Sequence, residues 1–284
     1  MGLDRIRRLL LSPLAVIAGV SGAATAAGPA GNQVDLQLVL AVDISGSMDY
    51  DEQRVQRDGY VEAFRDPQVI NAITDGLLGR IAVTFVEWSD ADIQFQVTPW
   101  MIIDGKESAF AYSAALAKAP LHRARSTSIS GALLMSMRLF DQGSFQAIKK
   151  TIDVSGDGAN NNGPPVTVAR DQVLAKGISI NGLPIMIRSS GFGANTSQDI
   201  ANLDQYYRDC VIGGPSSFLF TVDKLEDFPV AIRRKLIQEI AFVPPQLPPA
   251  AIKAAGTTDC MIGEKLRRGG FGGFGGFDFT PGGR

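Results

Sequence analysis

Apolar residues crowd into Val34–Val42, interrupted only by Asp35 and Gln37, and the run stops at Asp43-Ile44-Ser45-Gly46-Ser47-Met48. A Val- and Leu-rich run bounded by Asp, Ser and Gly predicts a buried parallel strand that ends in a loop. Helical spacing takes over at Asp49–Phe64, where Val55, Tyr60, Val61 and Phe64 share a face, and Asp66-Pro67 ends it. A second helix is expected over Gln68–Leu78, closed by Gly79. Ile81–Trp88 alternates and is β-branched, which predicts a strand. Ser89–Asp92 turns the chain into an antiparallel edge strand, Ile93–Thr98.

The second half repeats the alternation. Helices are predicted over Lys106–Ala117, Ile129–Phe140, Pro164–Lys176, Asp199–Cys210 and Phe228–Phe242, with strands at Lys150–Val154, Ile178–Ile187 and Ser217–Val222. In the last helix Val230, Ile232, Leu236, Ile237 and Ile240 are expected to face inward. Strand and helix in turn give an α/β fold. It is a doubly wound, mostly parallel central sheet with one antiparallel edge strand and helices on both faces.

The ends differ from this core. Arg5, Arg7 and Arg8 precede the apolar Leu9–Val20, and small residues follow at Ala24-Thr25-Ala26-Ala27. That order reads as an export signal over residues 1–27, with an uncleaved anchor helix as the alternative. Export implies a periplasmic or secreted protein without a stable membrane span after cleavage. Residues 28–33 read as a short linker, 34–243 as the core domain and 244–266 as a Pro-rich linker and tail segment. Residues 267–284 are Gly- and Phe-rich and read as disordered, because they cannot bury enough apolar surface to offset ordering.

Composition narrows the function. Apolar residues make up 45% of the 284, enough for a real core, and the formal net charge is −2. Residues 1–27 carry a net +2, so their removal takes the charge from −2 to −4. No basic stripe asks for nucleic acid. Cys210 and Cys260 are an even pair in an exported chain and permit one disulfide, which would tie the segment after the core back onto it. Two separate buried thiols are the alternative.

The chemistry-bearing residues lie at strand ends. Asp43, Ser45 and Ser47 alternate in the first loop and can converge if the chain turns at Gly46. Oxygen-only donors suit a hard cation rather than zinc. Asp43-x-Ser45-x-Ser47 resembles the first motif of the metal-ion-dependent adhesion site in von Willebrand factor type A domains. Arg125-Ser126-Thr127-Ser128-Ile129-Ser130-Gly131-Ala132-Leu133 resembles the Thr-bearing loop of that family, and Thr151–Gly158 resembles the strand and loop that bring its Asp, here Asp157. Arg125-Ser126 stands where Gly-Gly is common, and Ser155-Gly156 precedes Asp157 where Thr is common.

The resemblance spans roughly residues 34–242 and implies a bacterial secreted branch of that superfamily. It also implies the family's Rossmann-like fold and a metal site of Asp43, Ser45, Ser47, Thr127 and Asp157. The cofactor would be Mg²⁺, or Ca²⁺ or Mn²⁺, and the partner a protein offering a Glu or Asp carboxylate. Ser45, Ser47 and often Thr127 would coordinate directly, with Asp43 and Asp157 acting through water or by holding the hydroxyls. Taken singly, each motif also reads as a strand end, a helix cap or a turn. Asn160, Asn161 and Asn162, with Asp49, Asp51 and Glu52, read as solvated loop and cap residues.

An enzyme is not expected. No Gly-x-Ser-x-Gly elbow exists, the single His122 sits in what reads as a surface loop, and zinc and nucleotide motifs are missing. The rival readings are a structural envelope protein with a fold-bracing metal and an unrecognised hydrolase.

Overall fold

The computed structural model describes residues 30–187, 200–241 and 258–271. The expected export signal, the Pro-rich stretch 244–249 and the tail 272–284 lie outside those residues. Five strands form one sheet: β1 (Gln33–Asp43), β2 (Ile81–Trp88), β3 (Gln94–Ile103), β4 (Gln146–Gly156) and β5 (Ser179–Pro184). Their order is β3-β2-β1-β4-β5, so β1 is central. β1 pairs in parallel with β2 and with β4, β4 pairs in parallel with β5, and only β3 is antiparallel.

Period-two alternation explains the two-sided core. Leu36, Leu38, Leu40 and Val42 of β1 face one apolar cluster. Helices α1 (Tyr50–Ala63), α2 (Pro67–Thr74), α3 (Lys106–Lys118) and α7 (Phe228–Ile240) contribute to it. Val39 and Ala41 face the other cluster, built with α4 (Ile129–Gln142), α5 (Val166–Ala175) and α6 (Leu203–Tyr206). Covered on both faces, β1 has no need of a polar side, which is why it reads as nearly continuous apolar sequence.

Several elements depart from the expected pattern. Ser217–Val222 is not a sixth strand. It meets β5 only at isolated pairings, Leu219 with Gly182 and Val222 with Ile185. Pro184 lies between those pairings and has no N–H to donate, so the ladder is interrupted. The described part of the expected helix Asp199–Cys210 is short, with α6 widening into a π-type turn over Tyr207–Val211.

In α7, Val230 faces solvent and Lys235 is buried instead. Beyond the core, Ile262–Phe271 forms a helix, α8, across the boundary between the expected linker and the expected disordered tail. Its docking has a covalent cause, because Cys210 and Cys260 are joined as a disulfide.

Candidate metal centre

The carboxyl ends of β1 and β4 lie side by side at the point where the chain reverses its direction of growth across the sheet. In open α/β sheets this crevice is where ligands bind. Asp43 is the last residue of β1, and Asp157 follows the last residue of β4.

Local geometry then shapes the first loop. The Ser45 N–H donates to Asp43 Oδ1 at 2.7 Å, and the Met48 N–H donates to the Ser45 carbonyl at 3.2 Å. This tight turn ends at Asp49, whose side chain accepts from the Glu52 N–H while Glu52 accepts from the Asp49 N–H. That reciprocal cap starts α1 immediately after the loop and so fixes where the loop stops.

The side chains converge. Ser45 Oγ and Ser47 Oγ are 3.1 Å apart, and Ser47 Oγ donates to Asp157 Oδ1 at 2.8 Å. Asp43 and Ser45 are wholly buried, while Ser47 and Asp157 are half-buried. Burial, reinforced by the neighbouring Asp157 charge, raises the Asp43 carboxyl well above the usual range. The Tyr207 hydroxyl, 3.4 Å from the Gly156 carbonyl, is raised as well, first by burial and then by Asp43 and Asp157.

Thr127 arrives on the loop before α4. A Cβ built on Gly158 would lie 3.5 Å from Thr127 Oγ1, so the Thr hydroxyl borders the Asp157 loop. All five residues of the expected set therefore come to one end of the sheet.

Two buried oxygens here have no hydrogen-bond partner: Asp43 Oδ2 and Thr127 Oγ1. Buried oxygens without a donor are costly unless something else satisfies them. A hard divalent cation is such a group, and the three hydroxyls and two carboxylates present suit one. Among the described residues no three His, Cys, Asp or Glu side chains cluster as ligands, so hydroxyls make up most of this donor set.

Residues outside the expected set hold this geometry. Asn160 and Asn161 are buried rather than solvated. Asn161 Oδ1 accepts from the Thr127 N–H at 3.0 Å, and the Asn161 N–H donates to the Thr127 carbonyl at 2.8 Å. Asn160 Oδ1 accepts from the Ser130 N–H at 2.9 Å. The run of three Asn that starts three residues after Asp157 was the available signal, since each carries both a donor and an acceptor.

On the opposite side, buried Glu87 at the end of β2 pairs with buried Arg57. Its other oxygen lies 2.7 Å from His122 Nδ1, and the His122 ring stacks on Phe95. His122 is thus a half-buried anchor for the loop that leads to Thr127. Gly46 packs against the backbone of that same loop, beside the Ala124 and Arg125 carbonyls.

Solved structures share this architecture at low sequence identity. Proximal thread matrix protein 1 from the mussel byssus, in a structure with a zinc-occupied MIDAS motif, is 14% identical with a TM-score of 0.53. The match covers 72% of this chain and 48% of that one. A von Willebrand factor type A protein from Catenulispora acidiphila is 16% identical with a TM-score of 0.52, covering 73% of this chain and 43% of that one. The pilus adhesin SpaC from Lactobacillus rhamnosus GG, in its open conformation, is 12% identical with a TM-score of 0.51, covering 73% and 30%. The chain thus spans less than half the length of each. No curated protein sequence matches it. A family model matches residues 33–244, and the chain belongs to that family, described as Protein of unknown function (DUF1194), with the fold of a von Willebrand A domain.

Proposed function

We propose that this is an exported, divalent-cation-dependent protein-binding domain of the adhesion or assembly kind, and not an enzyme. The observation that carries the reading is the convergence of Asp43, Ser45, Ser47, Thr127 and Asp157, with two of their oxygens buried and unpartnered. Ser45, Ser47 and Thr127 would hold the ion through neutral hydroxyls, and Asp43 and Asp157 would orient them or act through water. Bound Mg²⁺, or Ca²⁺ or Mn²⁺, supplies a positive centre only partly offset by two carboxylates, which favours an incoming Glu or Asp carboxylate of a protein partner. Half-buried Ser47 and Asp157 mark the side from which that carboxylate would approach.

Residues 34–243 carry this activity, and residues 1–27 act as the export signal. The disulfide agrees with a periplasmic or secreted protein.

Asp43→Ala should abolish Mn²⁺ binding in a titration followed by electron paramagnetic resonance, with the circular dichroism of the folded domain retained. Native Mn²⁺ affinity in that variant would refute the site. Capture of a partner from the native envelope should stop in EDTA and return with Mg²⁺. Capture indifferent to both would leave the metal as a brace only.

A further inference from the structure

The segment beyond α7 comes back to the cation site from outside it. Cys260 is bonded to Cys210 on the turn that follows α6, and Thr258 Oγ1 donates to Asp209 Oδ2 at 2.5 Å beside it. α8 starts two residues after Cys260. One face of α8 then meets the Asn loop. A Cβ on Gly263 would lie 2.2 Å from the Asn160 carbonyl oxygen, so only glycine permits this approach. Glu264 Oε1 accepts from Asn160 Nδ2 at 2.8 Å, and Arg267 donates to the Asn161 carbonyl at 3.0 Å. From Asn161 the site is one hydrogen bond away, at Thr127, and Asn160 holds Ser130 at the start of α4 three residues on.

We infer that α8 is a positioning element of the cation site. Pinned by Cys210–Cys260, its Gly263, Glu264 and Arg267 hold Asn160 and Asn161 against the Thr127 loop and keep the Thr127 hydroxyl beside Gly158. The inference rests on the cation-binding reading above. α8 contributes none of the five oxygen donors, so its influence passes entirely through the Asn loop. The disulfide shortens the tether of the helix and raises its effective concentration at the Asn loop, so a few polar contacts suffice to hold it.

The full chain carrying Glu264→Ala with Arg267→Ala tests this. In EDTA, hydrogen-exchange protection should fall at the Thr127 and Asn161 amides. The Mn²⁺ dissociation constant should rise about tenfold, as when a group that orients a metal ligand is lost. Glu264→Gln should restore both readouts, because its amide oxygen still accepts from Asn160. Cys260→Ser should reproduce the double variant. Lys265→Ala, on an exposed residue of the same helix, should change neither.

Unchanged protection, unchanged affinity, or an equal effect from Lys265→Ala overturns the inference. Wild-type protein that fails to bind Mn²⁺ overturns the cation reading itself and the inference with it. That failure shows in the wild type, whereas failure of the inference alone shows only in the variants.

Discussion

Asp43 carries a tension that its hydrogen bonds relieve only in part. One carboxylate oxygen accepts from the Ser45 N–H, and the other is buried without a partner. The wall behind it is Gly156. A Cβ there would lie 2.8 Å from Asp43 Oδ2 and 3.0 Å from the Tyr207 hydroxyl, both in a packed interior. Gly156→Ala should therefore push Asp43 out of place. It should cost about 1–3 kcal/mol in stability by overpacking and weaken Mn²⁺ binding about tenfold, because Asp43 no longer holds its place beside the serine hydroxyls. Urea unfolding and metal titration of the same preparation measure the two effects. Native behaviour in both would mean that Asp43 has room to yield.

At this scale the sequence showed the donors but not their supports. Asp43, Ser45 and Ser47 stand two residues apart, and a short spacing is visible in one dimension. Asn161 reaches back 34 residues to Thr127, and Glu87 reaches 35 forward to His122. Such partners are defined by the fold alone, so polar residues in a loop read as solvated.

Helix α7 shows how an apolar period can hide a charge. Ile232, Leu236 and Ile240 point inward as their spacing implies, yet Lys235 and Glu239 are also buried while Val230 is out. The reason lies in β4, where Asp153 faces the helix. Lys235 pairs with Asp153 and also reaches Glu239 Oε1 at 2.5 Å, and Asn181 donates to the same Glu239 oxygen at 3.0 Å. Strand β4 reads as a central strand despite Asp153, because the residues around it are apolar, but nothing local to Lys235 announces its partner.

Burial and the nearby Glu239 push the Asp153 carboxyl up to about 7, against the pull of Lys235. A carboxyl with a folded-state pKa above its unfolded value of about 3.9 binds more protons in the native state, so stability falls as pH rises between those values. Lys235→Met removes the only opposing cation in the triad and should cost about 3–5 kcal/mol by leaving buried charge uncompensated. The loss should be larger at pH 8 than at pH 5, where protonation relieves Asp153. Urea midpoints at the two pH values check the sign, and an equal loss at both contradicts it.

At the scale of the whole molecule, the site exists because of strand order. Asp43 and Asp157 are far apart in sequence, and only a sheet ordered β3-β2-β1-β4-β5 sets their strand ends next to each other. That order was foreseeable in outline. A central strand buried on both faces announces itself by composition, and alternating strands and helices then wind outward from it. The sheet's far edge was less legible, because Pro184 breaks the pairing that Ser217–Val222 would otherwise have made.

A site assembled from three distant loops exists only in the native state, so a ligand held there stabilises the fold by mass action. At a hundredfold excess over its dissociation constant, Mn²⁺ should add about 2.7 kcal/mol. For a domain of this size that corresponds to roughly 5–10 °C in the unfolding midpoint. Calorimetry in EDTA and in excess Mn²⁺ should show this difference for the wild type and none for Asp43→Ala. A wild-type midpoint indifferent to the metal would mean that the five side chains meet without binding an ion, and the unpartnered oxygens of Asp43 and Thr127 would then need another explanation.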